Sequence, residues 1–291
     1  MKFIIKNKYL FIITIILLLI VTTDFKSIKK SEMANLKMYY DCKDNNELFY
    51  CAGYDKSYEE YNGSDTPLLM INVFLNDYSS MLPYIVPLLI MFAVIADNYK
   101  QFKYNVIKEK IQRQNYKSYL KKLFLSSYKY CIILPIVYIM VFLLCYNLSG
   151  HFYYRGLGDN VTYSLQALRH FGIFFSIMLL NGVFHTILWA NISLINLRKF
   201  KNLLITFISS VFTFISLELF NEIVMQKLIC GKILNFNGAG FNLLDIFVYE
   251  EHANMYSIIL ISLFYTLVSV LIVYLFYKNK EKLVIDCDKE C

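Results

Sequence analysis

Six apolar stretches punctuate the chain, at residues 9–23, 81–96, 131–147, 172–192, 203–220 and 256–277, with polar segments between them. A membrane helix needs about 20 mostly apolar residues, because it rises about 1.5 Å per residue through a core about 30 Å thick. All six meet that requirement or come near it. The first two are short, so Lys6, Lys8 and Asn98 are expected to reach toward the headgroups. The third contains Pro135, which a membrane helix tolerates where neighbours satisfy the freed carbonyl. The pattern predicts an all-α integral membrane protein with six transmembrane helices, forming a single membrane domain over residues 1–291. Lys2, Lys6 and Lys8 ahead of a short apolar run also suit a signal peptide. That run ends Val21-Thr22-Thr23-Asp24-Phe25 without a small-x-small cleavage site, so an uncleaved first span is expected.

Composition agrees with the pattern. The 291 residues are 57% hydrophobic and 18% charged, with a mean hydropathy of +0.46, whereas a soluble chain is nearer one half apolar and one quarter charged. Four Pro and ten Gly exclude collagenous and Pro/Gly-rich disordered classes. Lys supplies 25 of the 29 basic residues, a bias that an AT-rich coding sequence produces without selection, so only the position of the charges is informative.

Those positions set an expected orientation. With the N-terminus inside, the inner pieces (1–8, 97–130, 193–202, 278–291) hold 19 basic and 6 acidic residues. The outer pieces (24–80, 148–171, 221–255) hold 10 basic and 15 acidic residues. Positive charge collects on the cytoplasmic side, so both termini are expected there. The net charge of +7 is then a topology signal, and nucleic acid is not implied.

The outer segment 24–80 is polar and Tyr-rich. Its Cys42 and Cys51 lie on the expected oxidising side with eight residues between them, and could close a small disulfide loop or remain free thiols. In segment 221–255, residues 228–236 and 241–249 are apolar but too short to span. They read as re-entrant or interfacial helices, or as an ordinary folded loop.

A catalytic reading needs a constellation that the sequence does not offer. His151, His170, His185 and His252 form no H-E-x-x-H and no His/Cys cluster at metal-ligand spacing. Cys230-Gly231-Lys232 lacks the upstream Gly and the following Ser/Thr of a phosphate loop. No catalytic residue, metal site or bound cofactor is therefore expected in this chain.

Polar residues within the spans are a different matter, since ionisable groups there are expensive and are candidates for function by default. Asn181, His185 and Trp189 fall four apart on one face of the fourth span. Thr206, Ser209, Ser210, Thr213 and Ser216 form a small polar stripe on the fifth. Either set could line a path or could make the interhelical bonds that fix packing, and packing is the commoner use. Glu218 and Glu222 lie one turn apart near the outer end of the fifth span, where hydration is the expected state.

The cytoplasmic segment 97–130 is the most informative. From 98 to 130 it carries nine basic residues and one acid. Val106, Ile107 and Ile111 share one face of a short helix, and Tyr116, Tyr119, Leu120 and Leu123 share a face of a second. Two amphipathic helices on the inner leaflet, with Lys reaching anionic lipid, would account for the charge. The segment also has an acid where the second span ends (Asp97), then the apolar Asn105-Val106-Ile107. An Arg-x-x-Tyr-x-x-Tyr-x-x-Lys run (Arg113, Tyr116, Tyr119, Lys122) follows, entering the third span.

In these features, in its long outer segment after the first span and in its six-span plan, the chain resembles the permease subunits of type-two ABC exporters. The likeness is strongest to the six-span permeases of Gram-positive bacteria, several of them linked to bacteriocin or lantibiotic self-protection. Gln101, Phe102 and Lys103 stand where that family often has Gly-Thr. The resemblance implies a coupling helix in this loop, so Asp97, Val106, Ile107, Ile111, Arg113 and Tyr116 become candidate ATPase-coupling residues. It further implies a separate ABC ATPase subunit carrying ATP-Mg, a second permease copy or sister permease, and short helices at the outer mouth. Asn181, His185, Ser210, Thr213 and Glu218 are the candidate intramembrane polar residues. No span carries Lys or Arg, which suits an amphipathic or peptide-like cargo. The competing expectation is a non-transporting immunity or sensor protein that binds a peptide through segment 24–80.

Overall fold

The computed structural model describes residues 7–44, 66–102, 115–150, 171–200, 202–233, 243 and 255–279. The described residues are all-α. Helix α1 covers Lys8–Asp44 and α2 covers Thr66–Leu75. After a 3-10 turn at Ser79–Met81, α3 covers Leu82–Asn98 and a second 3-10 turn covers Tyr99–Phe102. Helix α4 (Tyr116–Tyr128) passes through a 3-10 turn (Lys129–Ile132) into α5 (Ile133–Ser149). Helices α6 (Phe171–Lys199), α7 (Leu203–Phe220) and α8 (Met255–Lys278) complete the set, with a π-helix at Asn221–Ile233 extending α7.

Six of these segments are long and apolar enough to cross a membrane: Lys8–Ala34, Ser79–Phe102, Tyr116–Ser149, Phe171–Lys199, Leu203–Cys230 and Ile258–Lys278. The chain is a multi-pass membrane protein. Most spans exceed the apolar runs in the sequence, because a helix does not stop where hydrophobicity does. It continues until its backbone meets a breaker or a cap.

Helix α1 illustrates this. Its 37 residues extend about 55 Å, well past a core about 30 Å thick. Ile13, Leu17, Val21 and Asp24 form its buried stripe, while Ile12, Ile15, Ile16 and Leu19 face outward, as a lipid-facing side requires. Segment 24–80 is thus less uniformly polar and irregular than its composition implies. It contains half of α1 and the apolar α2, whose Leu69, Met70, Val73 and Phe74 are buried.

Breakers and caps explain the other ends. Pro135 has no N–H to give the carbonyl of residue 131, and the chain tightens into the 3-10 turn just before α5. Gly150, at φ 66°, closes α5 in the left-handed conformation, with its N–H on the Tyr146 carbonyl at 2.9 Å. Asn115 caps α4 by accepting from the Lys117 N–H, and Asn202 caps α7 by accepting from Leu204 and Ile205. Helix α7 starts only four residues after α6 ends, and the two pack side by side as neighbours.

Helix α6 is the hub. It packs against α3, α5, α7 and α8 and is buried almost all round over its C-terminal two thirds. A helix apolar on every side belongs inside a bundle. It approaches α5 closely at Gly182, where an added Cβ would lie 2.9 Å from Leu134 Cβ and 2.9 Å from Tyr138 Cε2. Small residues at such crossings let membrane helices approach closely enough to gain packing energy.

Gly182→Ala is therefore expected to destabilise the bundle by about 1–3 kcal/mol through overpacking. Gly172→Ala, with nothing within 4 Å of the new Cβ, is expected to leave stability unchanged. Thermal unfolding of the two purified variants in one detergent separates them. Equal melting temperatures would contradict the close approach.

Candidate functional site

Two polar assemblies stand out in the bundle: a cluster where α3 ends and α4 meets α5, and a seam along α6.

The end cluster is centred on Asp97, in the last turn of α3. Its Oδ2 pairs with Lys129 Nζ at 2.5 Å and accepts the Tyr130 hydroxyl at 2.6 Å. Lys129 Nζ also donates to Asn7 Oδ1 at 3.3 Å and lies 5.1 Å from the Tyr130 ring centroid. Next to the acid, Asn98 is fully buried and does not reach toward headgroups. Its Nδ2 donates to the Val94 carbonyl and Ser127 Oγ, and its Oδ1 accepts from Ser126 and Gln101. An amide can stay inside because both of its ends find partners.

A second set of bonds ties this cluster to α6 and α8. The Tyr116 hydroxyl donates to the Tyr277 carbonyl, and the Tyr277 hydroxyl donates to the Leu194 carbonyl at 2.8 Å. Phe102 and Phe124 pack edge-on against the Tyr277 ring, and Arg198 lies over Phe276 and Tyr277. Tyr119 and Leu123 are buried in the same group with Leu194, Leu197 and Val273. The apolar face of α4 thus packs on protein, not on the lipid surface expected for a free amphipathic helix.

The α6 seam is built from amides and hydroxyls. Asn181 Oδ1 accepts from Ser262 of α8, and Thr266 of α8 donates to the Phe184 carbonyl. Asn191 joins three elements, accepting from the Tyr128 hydroxyl of α4 at 2.7 Å and donating to Ser269 of α8 at 2.8 Å. Asn196 accepts from Ser209 and donates to Thr213, both on α7. His185 bonds through Nδ1 to the Asn181 carbonyl at 3.0 Å, and its ring lies 5.9 Å from that of Trp189. His185 Nε2 and Trp189 Nε1 are buried with no hydrogen-bond partner among the described residues.

The expected intramembrane residues are thus distributed. Asn181 and His185 lie on α6 facing its neighbours. Thr213 turns toward Asn196, and Ser210 is buried with its hydroxyl on the Thr206 carbonyl. Glu218 accepts the Leu243 N–H at 3.1 Å, and Glu222 pairs with Lys227 at 2.7 Å, a spacing of five that suits a π-helix. Asp97 and Tyr116 both hold the end cluster, whereas Val106, Ile107, Ile111 and Arg113 lie outside the described residues. So does the Cys42–Cys51 pairing, since neither side chain is among them. Asn98, Asn191 and Asn196 were not expected as bridging residues. Their signal in the sequence was only an amide inside or beside an apolar run.

Comparison with known protein families, characterised proteins and solved structures finds no match to this chain. The functional reading therefore rests on the geometry. Among the described residues no group of His, Cys, Asp and Glu could hold a metal ion. What the end cluster can do mechanically is clear: it locks both legs of the 97–130 loop to each other.

If that lock is electrostatic, Asp97→Asn and Lys129→Gln will be non-additive. We expect a coupling of about 0.5–3 kcal/mol in a double-mutant cycle measured by detergent unfolding. Additive losses would mean that the two side chains act independently.

Proposed function

We propose that this chain is the membrane-spanning permease subunit of an ATP-driven exporter, acting with a separate ABC ATPase and with a second permease copy or sister permease. The observation that carries the reading is the lock on the loop between the second and third spans. Its first leg ends in Asp97 and Asn98 and its second begins with Tyr116. Lys129, Tyr130, Ser126 and Ser127 join the legs, while Tyr116 and Tyr277 join them to α6 and α8.

The two described legs of this loop are thus tied to the bundle. A load on residues 103–114 passes into four spans at once, as an ATPase docked there would require. Closure of ATPases at one end would then bias the bundle between two arrangements, one open inward and one outward. ATP-Mg would be bound by the ATPase, and this chain would hold no cofactor and catalyse no reaction. Both termini would be cytoplasmic. The outward face of α7 supports a partner and a path beside this helix. Ile208, Phe212, Ile215 and Leu219 are exposed there, with Ser216 among them. Such a mixed surface suits an amphipathic or peptide-like cargo better than a bare ion.

The length of α1 favours a second reading. Its half beyond the membrane core would project as a rod, which an immunity or sensor protein could use to display a peptide-binding segment.

Replacing Val106 and Ile107 together by Asp separates the readings. On the exporter reading, ATPase co-purification and transport both fall while membrane insertion persists. Unchanged co-purification would reject the coupling role. Orientation is checked independently with single Cys probes in a Cys-free background. Tyr61 and Asp159 positions are expected to label from outside, and Lys110 and Lys280 positions only from inside. Outside labelling at Lys110 would reverse the bundle and remove the coupling assignment.

A further inference from the structure

The side of α1 that faces away from the bundle is one continuous stripe. Ile12, Ile16, Leu19 and Thr23 are exposed along it, and the same spacing of three and four carries it on to Lys26, Lys30 and Lys37. Lys29, one turn beyond Lys26, flanks it. Ile13, Leu17, Val21, Asp24 and Glu32 are buried on the opposite side. The stripe therefore turns from apolar to basic just past Asp24 without leaving its face of the helix.

That change falls at the edge of the membrane core. Asn7 and Asp97 meet on Lys129 at one end, and at the other Asp24 accepts the Ser79 N–H where the second span begins. The seventeen residues from Asn7 to Asp24 rise about 26 Å, close to a core about 30 Å thick. Lys26, Lys29 and Lys30 follow about 3–9 Å further along the axis, in a headgroup layer about 5–8 Å deep. All three are exposed and have no ion-pair partner among the described residues. Asp24 is engaged by Ser79 and Asn76, and Glu32 is buried on the far side, so no acid of α1 between residues 24 and 37 offsets them on this face.

We propose that Lys26, Lys29 and Lys30 bind the phosphate headgroups of anionic phospholipid in the leaflet at this end of the bundle. Charge complementarity selects the ligand. Continuity with the exposed apolar stripe selects its source, since Ile16 and Leu19 lie directly beneath the lysines, where acyl chains follow their headgroups. A soluble acidic polymer would meet the ammonium groups but not the apolar face below them. The surface is independent of whether the chain couples to an ATPase and of which side its termini face. Lipid held here fixes the depth at which α1 leaves the membrane, and with it the carboxylate that caps the second span.

The test uses the full-length protein, Cys-free except for a fluorophore-labelled Thr23→Cys, in phosphatidylcholine nanodiscs. Nitroxide-labelled phosphatidylglycerol or phosphatidylcholine is added as the quencher. Position 23 lies on the stripe one turn before Lys26, so quenching reports lipid at this helix and not at the basic 97–130 segment. We expect phosphatidylglycerol to quench at the lower mole fraction. Lys26→Gln or Lys30→Gln should weaken that preference about fivefold, the effect of one lysine near an anionic surface. Gln matches Lys in helix propensity, so these exposed changes leave the helix intact. Lys37→Gln, about 16 Å beyond Lys26 and past a Debye length of about 8 Å, should leave the preference unchanged. Replacing all three lysines by Arg should preserve it. Equal loss in Lys37→Gln would overturn the placement at headgroup depth. Loss in the Arg variant, or no preference in the parent protein, would overturn recognition by charge. Loss of the preference on adding soluble polyglutamate would assign the stripe to an acidic polymer and overturn the lipid assignment.

Discussion

A polar group inside a bilayer has no water to turn to, and the arrangement of this protein follows from that constraint acting on α6. Asn181, Asn191 and Asn196 are all buried on this helix, and each finds a partner on another one. Ser262 and Ser269 bring in α8, Tyr128 brings in α4, and Ser209 and Thr213 bring in α7. Apolar surface alone would not choose among these neighbours, because lipid tails are as apolar as Leu. The amides do choose, and Gly182 then lets α5 come close enough to complete the packing.

The same rule governs the two ends of the bundle. At one end Asn7, Asp97, Lys129, Tyr116 and Tyr277 bring together the ends of five segments through charge-assisted and carbonyl bonds. At the other end, Asp24 of α1 is buried and accepts both the Ser79 backbone N–H and the Asn76 amide. That carboxylate serves as a cap supplied from a different helix, placed where the second span begins and where free N–H groups attract negative charge. Thr66 and Ser149 are hydrogen-bonded at the same end and fix α2 against α5. A carboxylate thus marks each end of the second span, and both are tied to other helices.

This symmetry of restraint bears on how the protein could work. The described legs of the 97–130 segment are bonded to one another and to α6 and α8. Helix α7 and its π-helical extension lie at the edge, with the fewest buried positions of the six spans. On the exporter reading proposed above, that side of α7 would be the surface that meets a partner or cargo. Trp189, whose Nε1 like His185 Nε2 has no hydrogen-bond partner among the described residues, packs edge-on against Phe214 of α7.

The sequence alone determined the class and the count. Six apolar runs in 291 residues, free of Lys and Arg and with Glu218 as their one acid, leave a membrane bundle as the way to satisfy the backbone. Asp97 and Tyr116 stood out through the resemblance of their segment to exporter permeases, which implied a coupling role. What the sequence did not determine is which polar groups meet. Asn98 looked like a headgroup residue and Thr213 like part of a stripe, since hydropathy counts an amide or hydroxyl without knowing its partner. The length of α1 and the π-helical extension of α7 were hidden for a related reason. Helices run on past their apolar core until a cap or breaker ends them, whereas hydropathy sees only the core. Lys129, a lone basic residue ahead of the third apolar run, became the centre of a cluster only once folding brought Asn7 and Asp97 to it, from positions 122 and 32 residues earlier. Such pairings depend on distances between helices, and those are set by packing in three dimensions.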